Sequence, residues 1–484
     1  MAKVKLEPAE VFECFAEINK IPRPSKHEEK MIEFLKSYGE KLGLDTKVDE
    51  VGNVIIRKPA TKGYENRETT IVQSHMDMVC EKNSGVDIDF MNDPIQTEID
   101  GEWLKAKGTT LGADDGIGDA MELALLKDNT IEHGPIECVF TRDEETQLTG
   151  ASGMKPGFMT GKYLLNLDSE DEGEIFVSCA GGASTIATFH FTMEDAPADS
   201  FFFKVGINGL TGGHSGDDIE KKRANANKLL VRFLYNEMKS HSLRIADIQS
   251  GGLHNAIPRE GWAVCAVPAE YKEQVRVDAN VFASEIEEEY AVTEKALHFY
   301  MESAEPAKVI NQEAAYKMIL SLQAVDNGVF AMSQDLDWLV ETSSNLASIH
   351  KKGDTVEVVT SQRSNIGSAR KNMSAAVSAA FELGGAEVHT TDGYPGWRLD
   401  PNSPLLKISV DAYKRLFHKE PKVLAIHAGL ECGLFSEKYP DIDMVSFGPT
   451  LRGVHSPDEK LLIPTVKMVW DLLLEILKNI PEKK

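Results

Sequence analysis

Apolar positions over the first forty or so residues recur at helical spacing. They predict a helix running through Phe15, a break at Ile21-Pro22-Arg23-Pro24, and a second helix whose apolar face carries Met31, Ile32, Phe34 and Leu35. Ser25 and Glu28 have the spacing of a capping box, which would start that second helix. After Gly43 the period shortens to that of strands. VGN reads as a turn before VIIRK, and the apolar run of TTIVQSHMDMV reads as an interior strand. A hairpin around Trp103 and Leu104 follows, then the Gly-rich loop TTLGADDGIGD and a helix, AMELALLKD, beginning near Ala120. IECVFTRDEE and KYLLNLDSE supply two more strands, and each runs straight into acidic residues, so apolar strands that end in carboxylates recur three times. In an α/β sheet such strand ends are where loops gather a site.

From about Ala183 the texture changes. STIATFHFTM and SFFFKVGIN alternate, RANANKLLVRFLYNEM is helical, and HSLRIADIQSG and GWAVCAVPAE alternate again. The order strand, helix, strand, strand, helix partly recurs between about Leu297 and His389, which predicts two similar α+β units in series. Beyond GYPGWRLDPNSP the pattern returns to helix (LLKISVDAYKRLF), apolar strand (KVLAIHAG, DMVSFG) and a closing helix (TVKMVWDLLLEIL). The expected architecture is α/β: one domain made of residues 1–185 and 394–484, interrupted by an inserted α+β domain over residues 186–393.

Composition works here by exclusion. The 484 residues suit two to four domains, and 42% hydrophobic with 27% charged residues excludes collagen, coiled coil and wholesale disorder. Asp and Glu number 77 against 52 Lys and Arg, a net charge of -25, so the long-range field repels phosphate backbones and anionic headgroups. Neither nucleic acid nor a membrane surface is expected as a partner. Glu7, Glu10 and Glu13 interrupt any signal-like apolar region, and no run approaches the roughly 18 apolar residues of a membrane span. A cytoplasmic location is expected. Cys14, Cys80, Cys138, Cys179, Cys265 and Cys432 form no C-x-x-C pair, which predicts reduced thiols rather than disulfides or a thiolate zinc knuckle.

Candidate chemistry begins at His75 and Asp77. Two residues apart on an extended segment, they project to one side, where the carboxylate can orient an imidazole ligand. The spacing alone is weak, since His27 and His418 precede acids at the same interval. Asp114 and Asp115 in LGADDGIGD read either as a helix cap or as ligands. Glu144 and Glu145 can converge if the chain leaves its strand there; on a continuing strand they would face opposite ways. Asp168 ends YLLNLD. As a set, one histidine and several carboxylates at apolar strand ends are what two divalent cations about 3.5–4 Å apart require. Three ligating carboxylates against two such ions leave about one net positive charge to lower the pKa of a shared water, and one further carboxylate is needed as proton shuttle.

Downstream, His214 in GLTGGHSGDDI and His455 in GPTLRGVHSPDE are framed by glycines, an unusual place for a core histidine, and are candidates for ligand or substrate roles. His427 in AIHAGLECG, close to Glu431, suits a substrate contact, a support for a ligand, or packing. Arg363 in VVTSQRSNIGS could clamp a substrate carboxylate, and Asn255 in GGLHNAIP could meet a substrate carbonyl or simply make a turn. There is no G-x-S-x-G elbow, no phosphate-binding G-x-x-x-x-G-K-[ST] loop and no H-E-x-x-H.

With SHMD, GADDGIGDAMELALL, TRDEETQLTGASGM, LNLDSEDEGEIFVSCAGG, GLTGGHSGDDI, AIHAGLECGLF and GPTLRGVHSPDE in order over nearly the whole chain, the sequence resembles the M20 metallopeptidases, and within them the branch that acts on aminoacyl-histidine dipeptides. The resemblance implies a zinc-exopeptidase-like catalytic domain, a mixed sheet flanked by helices, with an inserted lid domain. It further implies a homodimer in which His214 serves the partner's site. It implies two zinc ions, replaceable by Mn or Co. His75 and Asp168 would hold one ion, Glu145 and His455 the other, with Asp114 bridging, Asp77 orienting His75 and Glu144 acting as general base. Where the family has Asp-x-Lys at the bridge this chain has Asp114-Asp115-Gly116, which leaves Asp115 as the alternative bridge. The implied activity is hydrolysis of unblocked dipeptides, Xaa-His included. Deacylation of N-acyl amino acids and an inactive metal-binding scaffold are the competing readings, and an unligated Glu144 argues against the scaffold.

Overall fold

A computed structural model describes residues 4–334 and 336–483, and in it the chain forms two compact units. The first comprises the residues up to Ser178, Leu399–Ala425 and those from Glu431 onward; the second comprises Cys179–Arg398 and Ile426–Leu430. The division falls at 178/179 and 398/399 instead of 185/186 and 393/394 because the second unit's sheet begins earlier than the alternation of the sequence suggests. Cys179 and Trp397 exchange backbone hydrogen bonds of 3.0 and 2.9 Å, and Gly182 and Tyr394 do the same at 3.1 and 2.9 Å. The short return at Ile426–Leu430 joins this unit because the amide of Ala180 donates to the carbonyls of Ile426 and Ala428.

The first unit is built on an eight-stranded mixed sheet among the described residues, in the order Asp45–Val48, Val54–Lys58, Ile136–Thr141, Thr70–His75, Tyr163–Asn166, Asp443–Ser446, Glu174–Cys179, Lys422–Ile426. Thr70–His75 is buried at every residue and runs parallel to both its neighbours, which explains its unbroken apolar pattern. Parallel register decides where the chemistry gathers. His75 pairs with Thr141 and Gln73 with Asn166, so His75, the acids that follow Thr141, and Asp168 all emerge at one sheet edge. The helix Ala113–Lys127 is buried on nearly every side, whereas Ile463–Lys478 covers the core with an apolar stripe at helical spacing, in which Val466, Val469, Trp470, Leu473, Ile476 and Leu477 are buried. Each such side chain contributes roughly 1.5–3 kcal/mol of burial free energy.

The expected capping box does not form. The second helix spans Glu29–Lys41 and has no side-chain cap, because Ser25 turns its hydroxyl to Asp77 at 2.8 Å and Glu28 accepts from the Lys26 amide and from Arg142 at 2.6 Å each. The Gly-rich loop also differs from expectation: helical turns begin at Ala113, but Asp114 and Asp115 within them have non-helical dihedrals. The six cysteines form no disulfide with one another, and among the described residues no helix is long and apolar enough to cross a membrane.

Among the described residues the second unit holds a nine-stranded sheet in which one motif occurs twice. Its first half is Ser200–Asn208, helix Ala226–His241, Arg244–Gly251, Gly261–Pro268, helix Lys272–Glu289 and His298–Ser303. In space those strands lie fourth, first, third, second. The second half takes Gly181–His190 as its first strand, then helix Gln312–Ala324, Val340–Lys352, Thr355–Ser364, helix Gly367–Leu383 and Glu387–Thr390, and repeats the same spatial order. The halves meet antiparallel where Gln249 faces His350, and Gly328–Met332 adds the ninth strand along Val340–Lys352.

Candidate metal centre

At the C-terminal edge of the first unit's parallel strands, His75 points Nε2 at Asp114 Oδ1, 3.1 Å away, and at Asp168 Oδ1, 3.4 Å away. The other oxygen of Asp114 lies 3.1 Å from His455 Nε2, and the same nitrogen is 2.9 Å from Glu145 Oε2. Asp114 thus divides its two oxygens between two histidines, each of which has one more carboxylate of its own. Such a set could hold two divalent cations sharing one carboxylate: Glu145 Oε1 is buried without a described partner, and hard oxygens with imidazole nitrogens suit first-row divalent ions. Asp115 faces differently: its Oδ1 accepts from the Gly118 amide at 3.2 Å in the manner of a helix cap, and its Oδ2 is buried without a described partner.

Local backbone makes these placements possible. Asp143 sits at φ 50°, which turns the chain out of the strand and into the short helix Glu144–Gln147, so Glu144 and Glu145 leave the alternation of a strand. Asp77, fully buried, accepts from the amides of Glu144 at 3.0 Å and Glu145 at 3.3 Å while its Oδ1 lies 3.4 Å from His75 Nδ1. One carboxylate therefore faces the histidine and fixes the backbone of both glutamates. The carboxyl of Glu144 makes no hydrogen bond to a described residue.

Several residues that hold this geometry gave little or no local signal. Glu459 accepts from the amides of Leu111, Gly112 and Ala113 at 2.7, 3.0 and 2.8 Å, clamping the loop that presents Asp114. Arg23, 1% exposed, donates to the carbonyls of Asp77 and Gly112 at 3.0 and 2.6 Å. Glu431 takes donors from Gln73 and Thr141, both at 2.7 Å. Arg23 lies in a stretch that reads only as a helix breaker, and the partners of all three are distant in sequence.

Electrostatics follow burial and pairing. Burial pushes the carboxyls of Glu144 and Glu145 up, with neighbouring acids adding to it, and raises Asp168 to about 6. Burial would raise Asp114 too, but its contacts with His455 and His75 outweigh that and hold it below the usual carboxylate range. Asp77 is likewise lowered, burial being overcome by His75 and its donors. Contacts with Asp114 and Glu145 raise His455 to about 11.

The remaining candidates lie in the second unit. Arg363 is 6% exposed, and its guanidinium meets Ser215 Oγ at 3.4 Å, Tyr394 Oη at 2.9 Å and His214 Nε2 at 3.4 Å. No described carboxylate lies within ion-pair distance of it. His214 also has Asp217 Oδ2 3.2 Å from Nδ1. His427 approaches the Ser343 hydroxyl at 2.7 Å, and burial together with the Arg363 charge pushes it down to about 3, so it is neutral. Asn255 accepts from the Ser215 amide through its backbone carbonyl, leaving its side-chain amide without a described partner. A buried guanidinium with no described carboxylate beside it could receive one from a ligand.

Residues 71–479 match the model of peptidase family M20/M25/M40. The chain is 43% identical over 485 aligned positions, 99% of both sequences, to the cytosol non-specific dipeptidase of Escherichia coli strain K12. The crystal structure of an aminoacylhistidine dipeptidase from Vibrio alginolyticus is similar at a TM-score of 0.94 and 43% identity, covering 99% of this chain and 98% of that one. The aminopeptidase PepT of Bacillus cereus shares the fold at a TM-score of 0.58 and 17% identity, covering 97% of this chain and 98% of that one.

Proposed function

The chain belongs to peptidase family M20/M25/M40, and from that membership we propose that it is a dinuclear-metal dipeptidase hydrolysing unblocked dipeptides, Xaa-His among them. The observation that carries the reading is Asp114, with one oxygen toward His75 and the other toward His455, beside a Glu144 that is committed to neither histidine. The dipeptidases at 43% identity over 99% of the chain support the substrate class. His75 and Asp168 would hold one zinc ion, Glu145 and His455 the other, and Asp114 both; manganese or cobalt would serve the same donors. The bound ions supply Lewis acidity and a water of lowered pKa.

The protein's own groups do the rest. Asp77 keeps the His75 ring aimed at its site and holds the backbone of Glu144 in place. Glu144, whose burial strengthens it as a base, takes a proton from the attacking water and returns it to the leaving amine. Arg363 holds the substrate's terminal carboxylate, with Asn255 and His427 lining its approach. His214 donates to the developing oxyanion. The second unit serves as lid and dimerisation unit of a homodimer. A cytosolic location follows the cytosolic name of the Escherichia coli relative.

A panel of dipeptides assayed beside their N-acetylated forms, with and without chelator, tests the reading. Hydrolysis of the free dipeptides only, abolished by chelation and restored by Zn²⁺, Mn²⁺ or Co²⁺, is expected. Preference for the N-acetylated forms would instead identify a deacylase, and full activity in verified metal-free protein would sink the dinuclear centre.

A further inference from the structure

Tyr394 is positioned with unusual care for a residue in a loop. Its backbone exchanges hydrogen bonds with Gly182 at 3.1 and 2.9 Å, and its carbonyl also accepts from Arg370 at 2.8 Å. Its ring fills a slot between two glycines. A Cβ at Gly182 would lie 2.8 Å from the ring's Cζ, and a Cβ at Gly429 2.7 Å from its Cε2, closer than real contacts allow. The slot delivers the hydroxyl to the Arg363 guanidinium, where at 2.9 Å it can only accept, because an arginine offers donors and no acceptor. The phenolic proton is therefore left over, and it goes to no described residue.

We propose that Tyr394 is a second substrate-binding residue, donating this proton to the C-terminal carboxylate of the dipeptide while Arg363 supplies the charge. A carboxylate arriving at Arg363 takes N–H donors from the guanidinium and, from the side, the O–H of a phenol already polarised by the same cation. The pair distinguishes a free carboxylate from an amide. Loss of the charge would weaken the interaction with Arg363, and an amide nitrogen placed at the phenol would set donor against donor. The inference rests on the dipeptidase reading and adds to it the requirement for a free C-terminus.

The test compares wild type and Tyr394→Phe on an unblocked dipeptide and on its C-terminal amide, using the amide's inhibition constant against the free dipeptide where it does not turn over. The substitution removes one oxygen and leaves the ring in its slot. KM for the free dipeptide should rise about tenfold with kcat within about twofold, while the constant for the amide stays unchanged, so that discrimination between the two shrinks by about the same factor. Equal changes for both ligands, a fall in kcat alone, or no change would overturn the assignment. A wild-type protein that cleaves no dipeptide would sink the reading beneath it instead, so the two failures are distinguishable.

Discussion

Glu144 and Glu145 are neighbours with opposite commitments. Glu145 directs Oε2 to His455 at 2.9 Å, whereas the carboxyl of Glu144 is bonded to no described residue and lies half-buried among other acids. Replacing each by glutamine should separate the roles. Glu144→Gln is expected to retain metal stoichiometry, measured on dialysed protein by elemental analysis, and to lose at least about 10²-fold in kcat. Glu145→Gln should lose metal and activity together, because an amide is a poorer ligand than a carboxylate. The reverse pattern would mean that base and ligand are exchanged. Chain order alone does not make this distinction; it follows from the turn at Asp143, φ 50°, which gives the two side chains different directions.

Secondary-structure elements carry the longer-range support, and this is where the sequence was least legible. The ends of Thr70–His75, Ile136–Thr141 and Tyr163–Asn166 could be recognised because an apolar run stopping at acids is a local signal. The spacing of Ser25 and Glu28 was an equally local signal and misled, since a tertiary partner, Asp77, competes for the Ser25 hydroxyl and wins. Glu459 and Arg23 gave no signal, and Glu431 none beyond its nearness to His427, because what they hold is backbone or side chain far away in the chain. The repeated motif of the second unit was half visible for a related reason: the first strand of its second half, Gly181–His190, precedes the whole first half.

Glu431 offers a test at this scale. It opens the helix Glu431–Lys438, is fully buried, and ties that helix to the strands of Gln73 and Thr141. Burial, reinforced by Asp168 and offset only in part by His75 and the two donors, raises its carboxyl to about 8 from an ordinary value of 4.5. The folded metal-free chain therefore holds a proton that the unfolded chain releases above 4.5, so this group's contribution to stability is complete below that value and is lost as pH rises toward about 8. In metal-free protein the difference in thermal midpoint between wild type and Glu431→Gln should shift in the variant's favour from pH 5 to pH 8 and level off above about 8. A difference that is flat with pH would show that the Glu431 proton does not contribute.

For the whole molecule the consequential fact is that the proposed metal ligands belong to the first unit and His214 to the second. If His214 acts on the partner's site in a homodimer, as the family resemblance implies, two inactive proteins can repair one another. Mixing Glu144→Gln with His214→Ala under conditions that exchange subunits yields heterodimers. In each, the site on the His214→Ala chain has its own native Glu144 and receives a native His214 from the other chain. The second site of that heterodimer lacks both. With half the dimers mixed and one of two sites repaired in each, activity should return to about a quarter of the wild-type level. If His214 serves its own chain, every site in every dimer lacks one essential group and the rate stays at that of the separate variants. Subunit exchange demonstrated by differently tagged chains, without recovery, would refute action across the interface, and it would do so without touching the assignment of ligands, because both variants retain His75, Asp114, Glu145, Asp168 and His455.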